Sequence, residues 1–167
     1  MRTWSRTRLP EIGLVLAGMV ATILGALAFE HIGGYVPCAL CLLQRNPYYI
    51  GIPVMVLALV AEIVNAPPVV TRALLAIGAI LMLVGAGLGI YHSGVEWGFW
   101  EGPSACSAPV DSVPTNADDL LGDLNKVHGP SCTVAPWRML GLSFAGWNVV
   151  TSAILAAIAV RGARKPA

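Results

Sequence analysis

Long apolar runs alternate with shorter polar stretches along this chain of 167 residues. A transmembrane helix needs about 20 predominantly apolar residues, and four segments meet that requirement. We predict transmembrane helices at about 12–29, 46–64, 73–91 and 139–160. A backbone in lipid must satisfy its own hydrogen bonds, which favours helices over isolated strands. The pattern therefore predicts an all-α integral membrane protein, with residues 1–167 forming one four-helix bundle domain.

The segments between these helices differ in length and content. Residues 30–45 make a short loop, and residues 65–72 make a tight turn in which two adjacent prolines are predicted to end the second helix. Residues 92–138 make a long polar loop. Within it, residues 115–130 predict a short amphipathic helix, because a capping-box pattern precedes leucines at helical spacing and then glycine and proline. This helix either lies on the membrane surface or packs over the bundle.

The composition agrees with a membrane location. Charged residues make up 11% of the chain and hydrophobic residues 56%, whereas a soluble domain carries roughly 25% charged residues. The formal net charge is only +1 and no basic tract occurs, so no nucleic-acid partner is predicted.

Basic residues are distributed unequally between the two sides of the predicted bundle. One side holds Arg2, Arg6, Arg8, Arg72, Arg161, Arg164 and Lys165, and the other holds Arg45, Lys126 and Arg138. Cytoplasmic segments carry the excess of lysine and arginine, so we predict cytoplasmic termini and outward-facing loops at 30–45 and 92–138. Cleavage of the first span as a signal peptide is the alternative, but its apolar core exceeds the usual roughly 7–15 residues.

The four cysteines all fall in these two outward loops. Cys38 and Cys41 form a C-A-L-C motif at the start of the second helix, and such a motif is typical of thiol–disulfide exchange sites. Arg45 follows Cys41 at i+4, so on a continuous helix the two share a face and the guanidinium would stabilise a thiolate. Extension of Arg45 toward the lipid headgroups is the structural alternative.

The second pair, Cys106 and Cys132, has 25 residues between its members. Alone, such a pair is usually a structural disulfide. Beside a CxxC on the same face, it favours a mobile loop in which Cys132 reaches the first pair and exchanges electrons with it. A Cys₄ zinc site would need a second closely spaced pair, so no metal site is predicted.

His92 lies at the outer end of the third predicted helix, among aromatic residues. An aromatic belt at the membrane interface explains this region without any function. His92 is therefore either a neutral interfacial residue or a ligand for a polar group.

Gly85 and Gly89, earlier in the same helix, form a G-x-x-x-G pattern that allows close helix packing.

Together these features resemble the DsbB family, disulfide bond formation protein B. The resemblance rests on four spans, on C-A-L-C-L-L-Q-R at the head of the second helix, and on an outward loop with two cysteines. The stretches at 91–106 (Y-H-S-G-V-E-W-G-F-W-E-G-P-S-A-C) and 141–148 (G-L-S-F-A-G-W-N) also look like DsbB sequences. One departure is Gln44, where some relatives carry an acid.

The resemblance implies a reaction in the bacterial inner membrane. DsbB proteins reoxidise DsbA, a periplasmic thioredoxin-like dithiol oxidase, and pass the electrons to membrane quinone. By resemblance, the partner attacks a Cys106–Cys132 disulfide at Cys106, Cys132 then attacks Cys38, and Cys41 is released as the thiolate that donates to quinone. The residues that the resemblance assigns to quinone binding are Arg45, Cys41 and His92. The choice between ubiquinone and menaquinone stays open, as does the identity of the partner.

Two other functions fit part of the pattern. One is a four-helix quinone and thiol oxidoreductase resembling vitamin K epoxide reductase. The other is a membrane bundle in which both cysteine pairs are structural disulfides, which would resist mild reduction and never form a Cys38–Cys132 link.

Overall fold

A computed structural model describes residues 7–103 and 132–166 of the chain. Its helices are α1 (Leu9–His31), α2 (Ala39–Leu43), α3 (Asn46–Ile63), α4 (Pro68–Glu96) and α5 (Phe144–Arg164). In this described part, four helical segments are long and apolar enough to cross a membrane: Leu9–His31, Ala39–Ile63, Pro68–Glu96 and Phe144–Arg164. The predicted four-helix membrane fold is therefore confirmed. Cys106 and the predicted amphipathic helix at 115–130 lie outside the described residues.

The long helices pack in a ring that follows their order in the chain. α1 contacts α3 and α5, and α4 contacts the same two helices. The core between them is apolar and includes Val15, Met19, Met55, Met82 and Leu155. Large apolar side chains such as Leu24, Ile80 and Leu83 remain exposed on the outside, as expected where a bundle faces lipid.

The turn between α3 and α4 differs from the prediction. α3 ends at Ile63, and Asn65 takes a φ of 56°, a left-handed conformation that commonly ends a helix. Pro67 and Pro68 do not end this helix. Pro67 is instead the N-cap of α4 and Pro68 its first residue, a position where the missing N–H costs nothing. α4 therefore begins before the predicted residue 73 and continues beyond 91 to Glu96.

A small hairpin stands where the fourth helix was predicted to begin. Strand β1 (Arg138–Met139) pairs with β2 (Leu142–Ser143), antiparallel. Leu140 and Gly141 between them have φ values of 52° and 84°, and two successive residues of positive φ are typical of a type I′ turn. The Ser143 hydroxyl then accepts the Gly146 N–H at 3.2 Å and caps α5.

The second span is interrupted just after the CxxC. Pro47 cannot donate the backbone hydrogen bond to Leu43 that a continuous helix requires, and a turn at Gln44 and Arg45 separates α2 from α3. Cys41 and Arg45 therefore belong to different elements, so the continuous helix on which their shared face was conditional does not form.

The opposite end of the bundle joins the two ends of the described chain. Lys165 Nζ lies 2.6 Å from Glu11 Oε1. Arg8 is only 2% exposed, and its guanidinium donates to the Lys165 carbonyl at 2.7 Å. The Arg8 backbone N–H also donates to Glu62 Oε1 at 3.2 Å. These contacts tie α1, α3 and α5 together at the end away from the CxxC.

Candidate redox site

The short helix α2 brings the two sulfurs of the CxxC together. Cys38 is the N-cap of α2, and its Sγ accepts the backbone N–H of Cys41 at 3.2 Å. The Sγ atoms of Cys38 and Cys41 lie 2.7 Å apart, and both residues are free thiols. A disulfide needs a separation of about 2.05 Å, so only a small movement is needed to bond the two sulfurs once an acceptor has removed two electrons and two protons.

His92 reaches this pair from α4. Its Nε2 lies 3.7 Å from Cys38 Sγ, and its Nδ1 lies 2.7 Å from Gln44 Nε2. His92 is buried, and Nε2 is also 3.8 Å from a carboxylate oxygen of Glu96. The sequence left His92 as an interfacial or ligand-binding residue, and the structure places it against the sulfur of Cys38.

A chain of amide hydrogen bonds determines which nitrogen of His92 carries the proton. The Asn148 amide nitrogen donates to the Gly85 carbonyl at 3.2 Å and to Gln44 Oε1 at 2.7 Å. The Gln44 amide nitrogen therefore faces His92 and donates to Nδ1. A neutral imidazole has one donor and one acceptor nitrogen, so Nε2 carries the proton and points it at Cys38 Sγ.

These donors stabilise a thiolate on Cys38, which lies just before the second membrane-spanning segment. The hydrogen bond from the Cys41 thiol is the largest cause, and those from His92 and the Cys41 backbone add to it. Together they lower the pKa of Cys38 from 9.0 to about 4, although burial of the sulfur opposes this shift. Hydrogen bonds to the charged form of a group favour that form. Of the two thiols, Cys38 is thus held ready as an anion at neutral pH.

Cys132 lies against the same group although it comes from the other cysteine loop. It is disulfide-bonded and 1% exposed. Its Sγ, Cys38 Sγ and a ring nitrogen of His92 all lie within 4.8 Å of one another. Cys38, Cys132, Leu40 and Val95 form a buried cluster, and Cys41 packs against it. The structure brings Cys132 to the first cysteine of the CxxC, and the pairing with Cys106 falls outside the described residues.

A cavity of about 300 Å³ opens beside Cys41. Its polar lining residues include Cys41, Gln44, Arg45, Glu30 and Asn148. Its apolar walls include Phe29, Tyr35, Phe144 and Trp147. This size is at the lower end of the range for small-molecule pockets, which are mostly apolar with a few polar groups. The lining residues do not include His92, although its partner Gln44 is among them.

Arg45 has an acidic partner at the edge of this cavity. Its Nη1 lies 2.6 Å from Glu30 Oε2, and the two side chains are 12% and 26% exposed. Both line the cavity together with Cys41. Arg45 therefore presents its charge to the same space as the Cys41 sulfur, but its recorded partner is a carboxylate of α1.

Comparisons with known proteins agree with this arrangement. A protein-family model described as disulfide bond formation protein DsbB matches residues 10–161, which is most of the chain. The chain belongs to the DsbB family. It is 29% identical over 164 residues to disulfide bond formation protein B of Saccharophagus degradans, with 91% of each chain covered. It is 31% identical over 153 residues to that of Marinobacter nauticus, covering 85% of this chain and 82% of the relative. No solved structure gives a significant match.

Membership of the DsbB family confirms the resemblance seen in the sequence. It makes this chain a multi-pass membrane protein and a disulfide oxidoreductase that acts in disulfide bond formation. The free dithiol and the adjacent disulfide cysteine are the chemical groups that such an activity requires.

Several residues of this DsbB site were not predicted from the sequence to belong to it. Glu30, Tyr48, Glu96 and Asn148 were not predicted, yet Tyr48 donates to Asn148 Oδ1 at 2.7 Å and extends the amide chain. One available signal was that polar side chains within membrane helices are costly and often functional. The second signal was that Cys41, Gln44 and Tyr48 stand at positions i, i+3 and i+7, a spacing that places residues on one face of a helix.

Proposed function

We propose that the protein reoxidises a periplasmic DsbA-type dithiol oxidase and transfers the electrons to membrane quinone. The observation that carries this proposal is the position of Cys132, whose Sγ lies within 4.8 Å of Cys38 Sγ. A sulfur in that position connects one cysteine pair to the other. Under the proposal, the protein lies in a bacterial inner membrane with both termini cytoplasmic and both cysteine loops periplasmic.

The first step is attack by a thiolate of the reduced partner on Cys106 of a Cys106–Cys132 disulfide. That disulfide breaks, a partner–Cys106 bond forms, and Cys132 leaves as a thiolate. Cys132 then attacks Cys38 of a Cys38–Cys41 disulfide, which forms a Cys38–Cys132 bond and releases Cys41 as a thiolate. Thiolates, rather than thiols, perform such exchanges.

The second step returns the loop disulfide. The second thiol of the partner attacks the mixed disulfide, so the partner leaves oxidised and Cys106 becomes a thiolate. Cys106 attacks Cys132, and Cys38 leaves as a thiolate, which its low pKa favours. The products are a loop disulfide and a reduced Cys38–Cys41 pair, the state to which the described cysteines correspond.

The cavity beside Cys41 fits a quinone. Its aromatic and aliphatic walls suit a flat apolar ring, and Arg45, Gln44 and Asn148 offer hydrogen bonds to ring oxygens. When bound, a quinone supplies the acceptor for two electrons and two protons. Arg45 would hold a ring oxygen and Cys41 would face the ring. The predicted contact of His92 with the quinone stays a prediction, since His92 lies against Cys38.

Turnover with purified components tests this function. The full chain in detergent or lipid discs is mixed with a reduced DsbA-type protein and ubiquinone or menaquinone, and quinone absorbance is followed. We expect quinone reduction by the wild-type chain and none by Cys41→Ser. Acid quenching during wild-type turnover should trap a Cys38–Cys132 disulfide. Normal turnover in Cys41→Ser, or quinone reduction without this intermediate, would rule out the proposed electron path.

A further inference from the structure

The cluster of Cys38, Cys132 and His92 has the composition of a metal site. The three ligand atoms are buried and lie within 4.8 Å of one another. A tetrahedral zinc ion with Zn–S of about 2.3 Å and Zn–N of about 2.0 Å separates sulfur and nitrogen ligands by about 3.6 Å. The observed separation between Cys38 Sγ and His92 Nε2 is 3.7 Å. Two of the ligands therefore already have the spacing that a shared ion requires.

Two further groups can complete four-coordination. Cys41 Sγ lies 2.7 Å from Cys38 Sγ, about 1 Å closer than two sulfurs on one tetrahedral zinc ion, so it would have to move away from Cys38 to bind. Glu96 approaches His92 Nε2 at 3.8 Å, and its side chain is only 4% exposed. The Glu96 Oε2 atom is buried and has no hydrogen-bond partner among the described residues. A buried carboxylate oxygen without a partner is costly, and a cation bound beside His92 would remove that cost.

The redox state decides whether the site exists. Cys132 is disulfide-bonded in the structure, and only a free thiolate binds a metal. Reduction of that disulfide releases a third sulfur next to the free Cys38 and Cys41. We propose that the fully reduced protein binds one thiophilic divalent cation, of the zinc and cadmium class, through Cys38, Cys132 and His92.

Metal binding at this site requires no electron transfer. The thiols lose their protons to solvent as the metal–sulfur bonds form. Coordination by His92 Nε2 moves the imidazole proton to Nδ1, and the Gln44 amide turns so that its oxygen accepts that proton. The bound cation occupies the sulfurs of Cys38 and Cys132, so it blocks exchange between the two cysteine pairs. The binding itself does not depend on the proposed function, and only the block of exchange does.

Cobalt titration tests the site without measuring activity. The full chain in detergent is reduced with a phosphine in the absence of air, and Co²⁺ is added as a spectroscopic probe. We expect one ion per chain, with a thiolate-to-cobalt absorption band and the intense visible bands of tetrahedral coordination, both abolished by added Zn²⁺. The disulfide-oxidised chain should give neither band.

Three variants assign the ligands. Cys132→Ser and His92→Gln should each weaken cobalt binding at least roughly tenfold, because each removes a direct ligand. His31→Gln, which changes an exposed histidine at the end of α1, should bind as the wild type does. The two ligand variants are independent, and gel filtration with circular dichroism shows whether each retains its fold. Unchanged affinity in both folded ligand variants would mean that the CxxC binds the ion alone, and it would overturn the proposal. So would equal binding by the oxidised chain, or no binding at all.

Discussion

The two cysteines of the CxxC have different neighbours, although only two residues separate them. Cys38 contacts His92 and lies close to Cys132, whereas Cys41 lines the cavity with Arg45. One sulfur therefore faces the other cysteine pair and the other faces the cavity. This difference gives each a separate task in the proposed reaction, in which Cys38 exchanges with Cys132 and Cys41 delivers electrons.

The acidity of Cys38 can be measured in the reduced chain. Because the pKa of Cys38 is lowered to about 4, its thiolate should persist at pH 6 and protonate only as the pH falls toward that value. An ordinary cysteine titrates near pH 8.5. The measurement is the difference in ultraviolet thiolate absorbance between wild type and Cys38→Ser across pH. A midpoint near the ordinary value would contradict the hydrogen-bond assignment.

Gln44 provides the matched variants for that titration. Gln44→Leu removes the donor that holds the proton of His92 on Nε2, so the midpoint for Cys38 should rise by about one unit, the equivalent of one hydrogen bond of about 1.4 kcal/mol. Gln44→Glu places an acceptor-only carboxylate beside Nδ1, which favours the proton on Nδ1, so its midpoint should rise as well. A midpoint that is the same in all three chains would show that Gln44 does not act through His92.

Substitutions can distinguish the role of Arg45 from that of its ion-pair partner Glu30. Arg45→Gln removes the charge proposed to hold a quinone oxygen, so kcat/KM for quinone should fall roughly 10- to 100-fold, the range for a lost charged hydrogen bond. Glu30→Gln breaks the same ion pair but leaves the guanidinium at the cavity, so kcat/KM should change less than about threefold. Equal losses in steady-state quinone reduction would mean that only the ion pair matters.

At the level of the elements, the sequence predicted the spans well and their ends less well. Apolar length is a strong signal, and α3 at Asn46–Ile63 agrees with the predicted 46–64 within one residue. The hairpin before α5 was missed, because Met139 and Leu142 read as a continuation of the apolar run although Leu140 and Gly141 adopt positive φ. The sequence predicted that Cys132 reaches Cys38 only through movement of the loop, whereas the structure already has the two sulfurs close together. Spacing along the chain does not report such a distance across a bundle.

The G-x-x-x-G pattern in α4 allows close packing against α5, as the sequence predicted. A methyl group on Gly89 would lie 2.7 Å from Val149 Cγ2 and 3.1 Å from the Ala145 carbonyl. Such a contact with backbone prevents α5 from approaching α4, and α5 carries Asn148, which reaches the Gly85 carbonyl. The close packing of these two helices therefore places one part of the site.

Substitution at Gly89 tests this packing. Gly89→Ala should lower the free energy of unfolding by about 1–3 kcal/mol, the usual cost of an overpacked contact. Gly87→Ala, in the same helix, adds its methyl group where no atom lies within 4 Å, and alanine favours a helix by about 0.5–1 kcal/mol over glycine. Unfolding in detergent compares the two, and equal stabilities would argue against close packing at Gly89.

The whole molecule has a chemical polarity between its two ends. The thiols, His92 and the cavity lie at one end, whereas Arg8, Glu11, Glu62 and Lys165 form a charged cluster at the other. The distribution of basic residues along the sequence predicts that the charged end faces the cytoplasm.

The family and the membrane fold could be predicted from the sequence because they depend on motifs and apolar length. The pairing of Arg45 with Glu30 depends on how α1 meets the turn before α3, which no local pattern specifies.

Reporter fusions test the orientation. Alkaline phosphatase fused after Lys165 should be inactive in a bacterial host, and a fluorescent protein at the same place should fluoresce. Alkaline phosphatase fused after Trp100, which follows three spans, should be active. The reverse pattern would place the cysteine loops in the cytoplasm and would exclude a periplasmic partner.

Burial of the sulfurs also has a kinetic consequence. Cys38 is 3% exposed and Cys132 is 1% exposed, so a small thiol from the medium cannot line up with either sulfur as disulfide exchange requires. Cys41, in contrast, is partly exposed and lines the cavity. Burial therefore shields Cys38 and Cys132, but not Cys41, from direct attack by glutathione-like thiols. Direct exchange of small thiols with Cys38 or Cys132 should accordingly be slow.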